Sequence, residues 1–260
     1  QGYTTLRGLP WSRAGTTKMI SDTTKEAIEE HAEYAFPQEC CGLLLYIKGK
    51  QKYFKCKNIA EGHEEQDFVL DPYDYAKAED LGEILAVIHS HPNASSTPSE
   101  ADKVSCSRSG LPWHIISWPA KEWSKLLPEA YSAPLTGRVF AYGVLDCQTL
   151  FIDYYEQEFG VKYKMFPSEY DWWATGKDYY ADNWDSWTEG DFIEVKDHTK
   201  IEKHDVILMK VLSNVSNHLA IYLGNNMILH HLMGRLSTKD IYGEAYQKNT
   251  THVLRHKSLC

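Results

Sequence analysis

The stretch ILAVIHSHP (residues 84–92) begins as an apolar run and ends in two histidines, and SEAD (residues 99–102) follows it after a short gap. The apolar run predicts a buried strand that ends at His91, and the second segment predicts the first turn of a helix. Because successive side chains of a strand point to opposite faces, His89 and His91 face the same side. Asp102 lies in the first helical turn and is expected to point back toward them.

This pattern favours a metal site. Two histidines and one carboxylate (His89, His91 and Asp102) leave the fourth position of tetrahedral zinc open for a water, as in catalytic zinc sites. Such a site also needs a base, and Glu39 would supply one if its strand neighbours the histidine strand. Ser99 is a candidate donor to the oxyanion. In the alternative interpretation, the histidines are polar residues at a strand end and Ser99 with Asp102 only caps a helix.

The same spacing resembles a known family. Glu39, then HSH at 89–91, seven residues, Ser99, two residues and Asp102 look like the signature of the JAMM (MPN) metallopeptidases. The run PQECCGLL (residues 37–44) is similar to the segment that carries the family's glutamate, and the resemblance covers roughly residues 21–120. It implies a mixed α/β sandwich with zinc on His89, His91 and Asp102, Glu39 as acid/base and Ser99 as oxyanion stabiliser. Family members cleave peptide or isopeptide bonds, often those of ubiquitin-like proteins.

The rest of the first half predicts alternating helices and strands. Thr23 with Glu26 predicts a capping box at the start of the first helix. Cys40 and Cys41 open an apolar run, so we expect small buried side chains there, although they are also candidate ligands. The remaining predicted elements are a helix over Ser21–Ala35, strands over Gly42–Ile47 and Gln51–Ile59, a helix from Asp71-Pro72 to about Leu81, and a strand over His114–Trp118.

Length, charge and cysteine content narrow the class of protein. A chain of 260 residues has room for two domains. A net charge of −9 without a basic block argues against nucleic-acid binding, and no apolar run reaches the length of a membrane span. Six scattered cysteines fit a reducing cytoplasm better than a disulfide scaffold. We predict a flexible arm or added extension over 1–18, a zinc peptidase domain over 19–127, a linker over 128–136 and a second domain over 137–260.

The second half contains a candidate nucleophile. Cys147 begins a predicted helix over Cys147–Phe159, with Asp146 as its N-cap and Gly160 at its C-terminal end. A helix N-terminus stabilises a thiolate, and its free N–H groups form an oxyanion hole. The alternative is a core cysteine without chemistry.

A nucleophilic thiol needs an imidazole, and His218 on a predicted strand over His218–Leu223 is the best placed. A hairpin to a strand over Met227–His231 sets the third group. A three-residue turn at 224–226 places His230 diagonally on the same face as His218, whereas a two-residue turn would select His231. Asp205–Leu212 is predicted as a further strand, and residues 165–190 as irregular structure or short helices.

This half resembles the NlpC-type, papain-like cell-wall peptidases over about residues 137–256. The matching segments are YG at 142–143, DC at 146–147, NHLAIYLG at 217–224, and His230. The resemblance implies an α+β domain with Cys147 as nucleophile, His218 as base and His230 as the orienting residue, acting on peptide stems of peptidoglycan. Gln148 stands where the family usually has a serine that helps to bind the amine of the stem, which leaves the substrate open.

The last resemblance spans both halves, over about residues 75–256. It rests on the segments GLPW (110–113), LTGR (135–138), DCQTLF (146–151), DWW (171–173) and LHH (229–231), which look like those of the tail tip assembly proteins of lambda-like bacteriophages. That resemblance implies synthesis in the bacterial host cytoplasm, a role in building the tail tip, and other tail tip proteins as partners. A tail protein with a ubiquitin-like fold is a candidate substrate of the first half, and a place in the finished virion tail tip stays open. Three hypotheses remain: a bifunctional hydrolase for assembly and wall penetration, an assembly module with one or both sites idle, and a general cytosolic isopeptidase unrelated to phage. The complete set Glu39, His89, His91, Ser99 and Asp102 argues against full loss of activity.

Overall fold

The computed structural model describes residues 20–166 and 170–260, which form two sheets with helices packed against them. The predicted arm over residues 1–18 lies outside the described residues. The predicted α+β class is confirmed, since each half combines a sheet with helices. Across the described residues, no helix has the length and apolar character needed to span a membrane.

The first sheet has five strands in the order β2-β1-β3-β4-β5. The β3–β4 pair is parallel and the other three pairs are antiparallel. The elements of this half are α1 (Asp22–Ala35), β1 (Cys41–Ile47), β2 (Lys50–Cys56), α2 (Pro72–Leu81), β3 (Glu83–Pro92), α3 (Glu100–Ser109), β4 (Trp113–Trp118) and β5 (Trp123–Leu126).

The two faces of this sheet carry different helices. Ile28 and Ala32 of α1 pack in one buried apolar cluster, whereas Ala78 of α2 and Cys106 of α3 pack in another that includes Val87 of β3. Because strand side chains alternate, the two histidines of β3 share the face of Val87. The α3 helix therefore covers the face on which the histidines lie, which brings its first turn toward them.

Two local predictions for this half are wrong. Thr23 does not cap the first helix, because Ser21 is the N-cap and its side chain accepts from the Thr24 N–H. The second strand ends at Cys56 rather than at residue 59. Beyond Cys56 the backbone forms an isolated bridge between Asn58 and Leu70. The Asn58 side chain also bonds to backbone groups of four other residues, which are Glu39, Ala60, Asp67 and Val69.

The second sheet has six strands in the order β10-β9-β8-β7-β11-β6. The predicted helix α4 (Cys147–Phe159) is confirmed together with its caps at Asp146 and Gly160. The strand elements β6, β10 and β11 were not among the predictions. The further elements are α5 (Tyr179–Trp187), α6 (Glu244–Asn249), β6 (Phe192–Glu194), β7 (Val206–Met209), β8 (His218–Gly224), β9 (Met227–His230), β10 (Thr238–Ile241) and β11 (Thr250–His256).

An aromatic core joins α4 to this sheet. Phe151 and Tyr155 of α4 are fully buried and contact Phe192 of β6, while Trp187 of α5 meets Phe151 edge-on. Leu219 of β8 belongs to the same cluster. Burial of several large aromatic side chains is the main stabilising contribution in this half. It holds the first residue of α4 against the first residues of β8.

The segment between the halves is tied to the second half by a buried arginine. Residues 128–136 contain no helix or strand. Arg138 is 1% exposed, donates to the carbonyls of Ala133 and Pro134, and pairs with Asp153 of α4 at 2.7 Å. The connection is therefore a fixed part of the fold.

Replacing Arg138 with alanine is expected to lower the free energy of unfolding by about 3 kcal/mol, because it strands two carbonyls and a partly buried carboxylate. Urea unfolding followed by tryptophan fluorescence measures the change. Arg108→Ala on the exposed side of α3 is the matched control. A loss below about 1 kcal/mol for Arg138→Ala would show that the contacts of Arg138 contribute little to the free energy of unfolding.

Candidate active sites

Three potential metal ligands converge in the first half. The Nε2 atoms of His89 and His91 are 3.1 Å apart, and the Asp102 carboxylate oxygens lie 3.1 Å from His89 and 3.3 Å from His91. The two histidines come from β3, and Asp102 comes from the first turn of α3. The predicted pattern of two histidines and one aspartate thus forms one compact triangle.

The donor set fits zinc. Ligands bound at about 2.0–2.1 Å in a tetrahedron are roughly 3.3 Å apart. The two histidine nitrogens are 3.1 Å apart, and each lies at a similar distance from one of the two Asp102 oxygens, 3.1 Å for His89 and 3.3 Å for His91. Burial lowers the pKa of His89, which keeps its imidazole neutral and able to bind a metal. Burial alone would raise the pKa of Asp102, but the adjacent His89 and His91 hold it below its ordinary value, so the carboxylate is ionised.

Outer contacts orient the ligands. The His91 Nδ1 lies 2.8 Å from the Ser95 carbonyl, which only accepts, so Nδ1 carries a proton and Nε2, which faces Asp102, is the atom that would bind a metal. The fully buried His89 ring stacks on Phe68 and meets Trp113 edge-on. Asp102 also accepts from the Ser99 N–H at 2.7 Å, which fixes its carboxylate.

Glu39 lies beside this triangle. The β1 strand pairs with β3, and the Ser90 N–H donates to the Cys40 carbonyl, so the ladder extends toward Glu39. Continuing this antiparallel register sets Glu39 opposite His91. Glu39 is 6% exposed, and burial, followed by Asp102 and Asp67, raises its pKa to about 9.

Ser99 is exposed and caps α3, accepting from the Asp102 N–H at 3.0 Å. Its hydroxyl proton stays available for donation, so the capping and oxyanion interpretations are compatible. Cys40 and Cys41 are buried as expected, and burial raises the pKa of the Cys40 thiol to about 11. They fall outside the group of potential metal ligands found among the described residues.

In the second half, Cys147 is the first residue of α4 and shares a cavity of about 460 Å³ with His218. Burial, followed by the neighbouring Asp146, raises the pKa of Cys147 to about 12. Burial also lowers the pKa of His218, with smaller effects from His230 and His231. Desolvation thus outweighs the expected effect of the helix N-terminus, and the pair rests as thiol and neutral imidazole.

The hairpin brings His230 to His218. Ala220 lies opposite His230, and the register shifts before Gly224. This register places His230 diagonally from His218 on the same face, as predicted for a three-residue turn. The His218 Nε2 is 3.1 Å from the His230 Nδ1. His231 is also fully buried and faces Phe140 instead.

Asp240 is a member of this cluster that the sequence interpretation missed. Its carboxylate lies 3.4 Å from the His230 Nε2 and also accepts from the Tyr246 hydroxyl at 3.3 Å. In the β9–β10 pair, Thr238 lies opposite His230, so Asp240 is the diagonal neighbour. The alternation in TKDI at 238–241 was the available signal, but the strand itself had not been predicted.

These contacts fix the protons of both rings. A carboxylate only accepts, so the His230 Nε2 carries a proton; burial lowers the pKa of His230, so its ring is neutral and its Nδ1 accepts. The His218 Nε2 must then donate to that Nδ1, which leaves the His218 Nδ1 unprotonated. This is the protonation that a base beside Cys147 requires.

Gln148 takes no part in the cavity. It is 3% exposed, and the amide orientation that satisfies both of its groups accepts from the Phe166 N–H at 2.5 Å and donates to the Phe166 carbonyl at 3.3 Å. Gln148, which stands where the family usually has a serine, therefore holds the backbone of Phe166 through two hydrogen bonds. Cys56 and Cys106 are buried in the first half, and Cys260 is exposed at the other end of the chain.

Two family models match the chain. The model described as prokaryotic homologs of the JAB domain matches residues 22–127, and that of the NlpC/P60 family matches residues 137–255. Their order agrees with the two resemblances drawn from the sequence. JAB and NlpC/P60 are hydrolase families.

Similar full-length proteins are also known. The chain is 38% identical over 238 residues to "Tail tip assembly protein K" of Escherichia phage N15, covering 91% of this chain and 95% of that protein. It is 35% identical over 189 residues to the phage lambda protein of the same name, covering 73% and 90%. A solved structure from Desulfitobacterium hafniense is 26% identical with a TM-score of 0.34, covering 41% of this chain and 81% of that one.

Proposed function

Because this chain belongs to the tail tip assembly protein K family, we propose that it serves tail tip assembly as an enzyme with two hydrolase sites. The first is a zinc peptidase or isopeptidase, and the second is a cysteine endopeptidase. The supporting observation is that each half gathers a complete set of reactive groups around one point. A scaffold has no physical need for either set.

In the cysteine site, the Cys147 sulfur attacks a peptide carbonyl while the His218 Nδ1 takes the thiol proton. The imidazolium that forms is stabilised through His230 by the negative charge of Asp240. The N–H groups at the start of α4 hold the oxyanion. His218 then gives its proton to the leaving amine, and water hydrolyses the thioester to regenerate the thiol.

In the first site, His89, His91 and Asp102 would hold zinc, which when bound polarises a carbonyl and supplies a nucleophilic water. Glu39 would serve as the acid/base that moves one proton from the attacking water to the leaving nitrogen. Burial raises the pKa of Glu39 to about 9, and a cation held by the three ligands would oppose that shift and favour the carboxylate that accepts the proton. The Ser99 hydroxyl donates to the oxyanion.

The proposed substrates follow from the two site classes. The cysteine site acts on peptidoglycan stem peptides during DNA entry or release. The zinc site processes a tail protein, with a ubiquitin-like tail protein as candidate. The protein acts in the host cytoplasm during assembly and at the virion tail tip. Membership in a phage protein family argues against the general cytosolic isopeptidase.

A second candidate is an assembly module with one or both sites idle. One observation favours it: burial raises the pKa of Cys147 to about 12, so the helix N-terminus does not activate the thiol. Complementation of a phage that lacks this protein tests both candidates, with Glu39→Ala and Cys147→Ala supplied separately. We expect each variant to lower the yield of infectious particles. Wild-type yield with both variants would establish the assembly module.

Asp240→Asn is expected to lower kcat/KM of the cysteine site roughly 10–100-fold, because it removes the charge that supports the His218 imidazolium. Without that charge the pKa of the histidine pair falls, so the acid limb of the pH profile moves to lower pH. Rates of stem-peptide cleavage between pH 4 and about pH 9 measure both effects.

Lys239→Gln is the matched control, since Lys239 is exposed and adjacent on the same strand. It should leave rate and profile unchanged. If Asp240→Asn lowers the rate without moving the acid limb, Asp240 contributes only to packing.

A further inference from the structure

The cavity beside Cys147 continues into the first half of the chain. It shares Phe140, Tyr142 and Met233 with a second cavity of about 400 Å³, whose opposite wall includes His63 and Asp67. A third cavity of about 600 Å³ shares Tyr142, His63 and Asp67 with the second. Because adjoining cavities share lining residues, they form one groove from Cys147 to the 59–69 segment, the connection between β2 and α2.

Direct contacts fix the two walls of this groove. The His63 ring of the first half meets the Tyr170 ring of the second edge-on, with 4.4 Å between centroids, and Tyr170 contacts Tyr142. A second contact between the halves is a buried cluster in which Val104 of α3 packs with Leu145, two residues before Cys147. The 59–69 segment therefore holds a defined position relative to the nucleophile.

Charge and polarity change along the groove. The 59–69 segment contributes two carboxylates, Glu61 and Asp67, at its far end. Arg235 lines both the middle cavity and the cavity beside Cys147, and its guanidinium is 3.8 Å from Asp240, which partly neutralises it. Aromatic side chains line the part toward Cys147, namely Phe140, Tyr142, Trp172, Trp173 and Tyr180. Such a groove is complementary to an extended chain with apolar contacts and a cation at one end.

We propose that the 59–69 segment forms the distal wall of the substrate groove of Cys147, and that Asp67 pairs there with an amine cation of an extended peptide. The proposal rests on the proposed cysteine peptidase function and deepens it. The amine is either the amino terminus of the peptide or a lysine-type side chain. The first half thereby selects the substrates of the second.

Peptide binding to the full-length Cys147→Ala protein tests this. The probe is the tetrapeptide L-Ala-γ-D-Glu-L-Lys-D-Ala, with two further forms acetylated at the amino terminus or at the lysine. Calorimetry gives the Kd. We expect Asp67→Asn to weaken binding of the free tetrapeptide at least tenfold, about 1.4 kcal/mol. One acetylated form should bind the parent as weakly as the free tetrapeptide binds the Asp67→Asn variant. Asp67→Asn should not weaken binding of that form further, so the amine that is acetylated in it is the one that pairs with Asp67.

Two variants serve as controls. Glu65→Gln changes an exposed carboxylate of the same segment that does not line the groove, and it should leave the Kd within twofold. His63→Ala opens the wall without removing a carboxylate and should weaken binding of all three probes. Because Asp67 affects the pKa of Glu39, zinc content is measured for each variant to exclude an indirect effect.

The outcomes separate this inference from the proposed function. Failure of the parent to bind any of the probes, or a Kd for the free tetrapeptide that stays within twofold in Asp67→Asn, would overturn the inference. Binding that depends on Asp67, without cleavage by the intact protein, would leave the groove standing and overturn the peptidase function. Cleavage by the intact protein, with unchanged Kd values in the variants, would overturn the groove and leave the peptidase function standing.

Discussion

Cys147→Ala should lower the rate of stem-peptide cleavage by at least a thousandfold, the largest effect expected in this protein. Loss of the nucleophile removes the covalent route, and only binding and the oxyanion donors remain. The fold should persist, because the change removes one sulfur atom beside an existing cavity. Release of peptide fragments, measured by liquid chromatography, gives the rate, and thermal unfolding reports on the fold.

Cys260→Ser is the matched control, because Cys260 is an exposed thiol far along the chain from α4. It should cleave at the wild-type rate. A second variant, Cys147→Ser, keeps the volume and a hydroxyl but replaces sulfur with a much weaker nucleophile. If either Cys147 variant retains the wild-type rate with a normal melting temperature, Cys147 is not the nucleophile.

Asp102→Ala should lower the zinc content from about one ion per chain to a small fraction of that value. It removes one of three protein ligands and leaves two histidines, which cannot complete a tetrahedral site. The same change removes the acceptor of the Ser99 N–H, a loss of about 1 kcal/mol at the start of α3. Asp102→Asn keeps an acceptor there and should also lose zinc. Metal analysis after dialysis measures the content.

Glu39→Gln is the informative partner of these variants. It removes the acid/base without changing the three ligands, so we expect full zinc content with loss of peptide or isopeptide hydrolysis. Glu100→Gln, next to the site in α3 but paired with Lys103, should change neither property. Unaltered zinc content in Asp102→Ala would mean that the triangle is not the metal site.

Much of the candidate metal site could be predicted because its geometry is local. A spacing of two along a strand puts His89 and His91 on one face, and helix capping chemistry orients Asp102. The placement of Glu39 depends on the pairing of β1 with β3. The sequence analysis could state that pairing only as a condition. The cap of the first helix was mispredicted, since Ser21, Thr23 and Thr24 are all capping types and only the backbone conformation distinguishes Ser21.

The cysteine site depends more on long-range pairing. The position of Cys147 follows from its helix and caps, which are local signals. The choice of His230 over His231 depends on the register shift near Leu223, because one residue of slip turns every side chain to the other face. Asp240 was missed because its strand is four residues long and half exposed, and so carries little hydrophobic pattern.

The sequence by itself therefore determined the two constellations, their order and the residue types that carry the chemistry, since each signal lies within one strand or one helix turn. Only the tertiary structure decided which atoms meet. It set the register that joins His218, His230 and Asp240, the burial that keeps Cys147 a thiol, and the groove between the 59–69 segment and Cys147. Those features depend on contacts between residues distant in the chain, for which no local spacing rule exists.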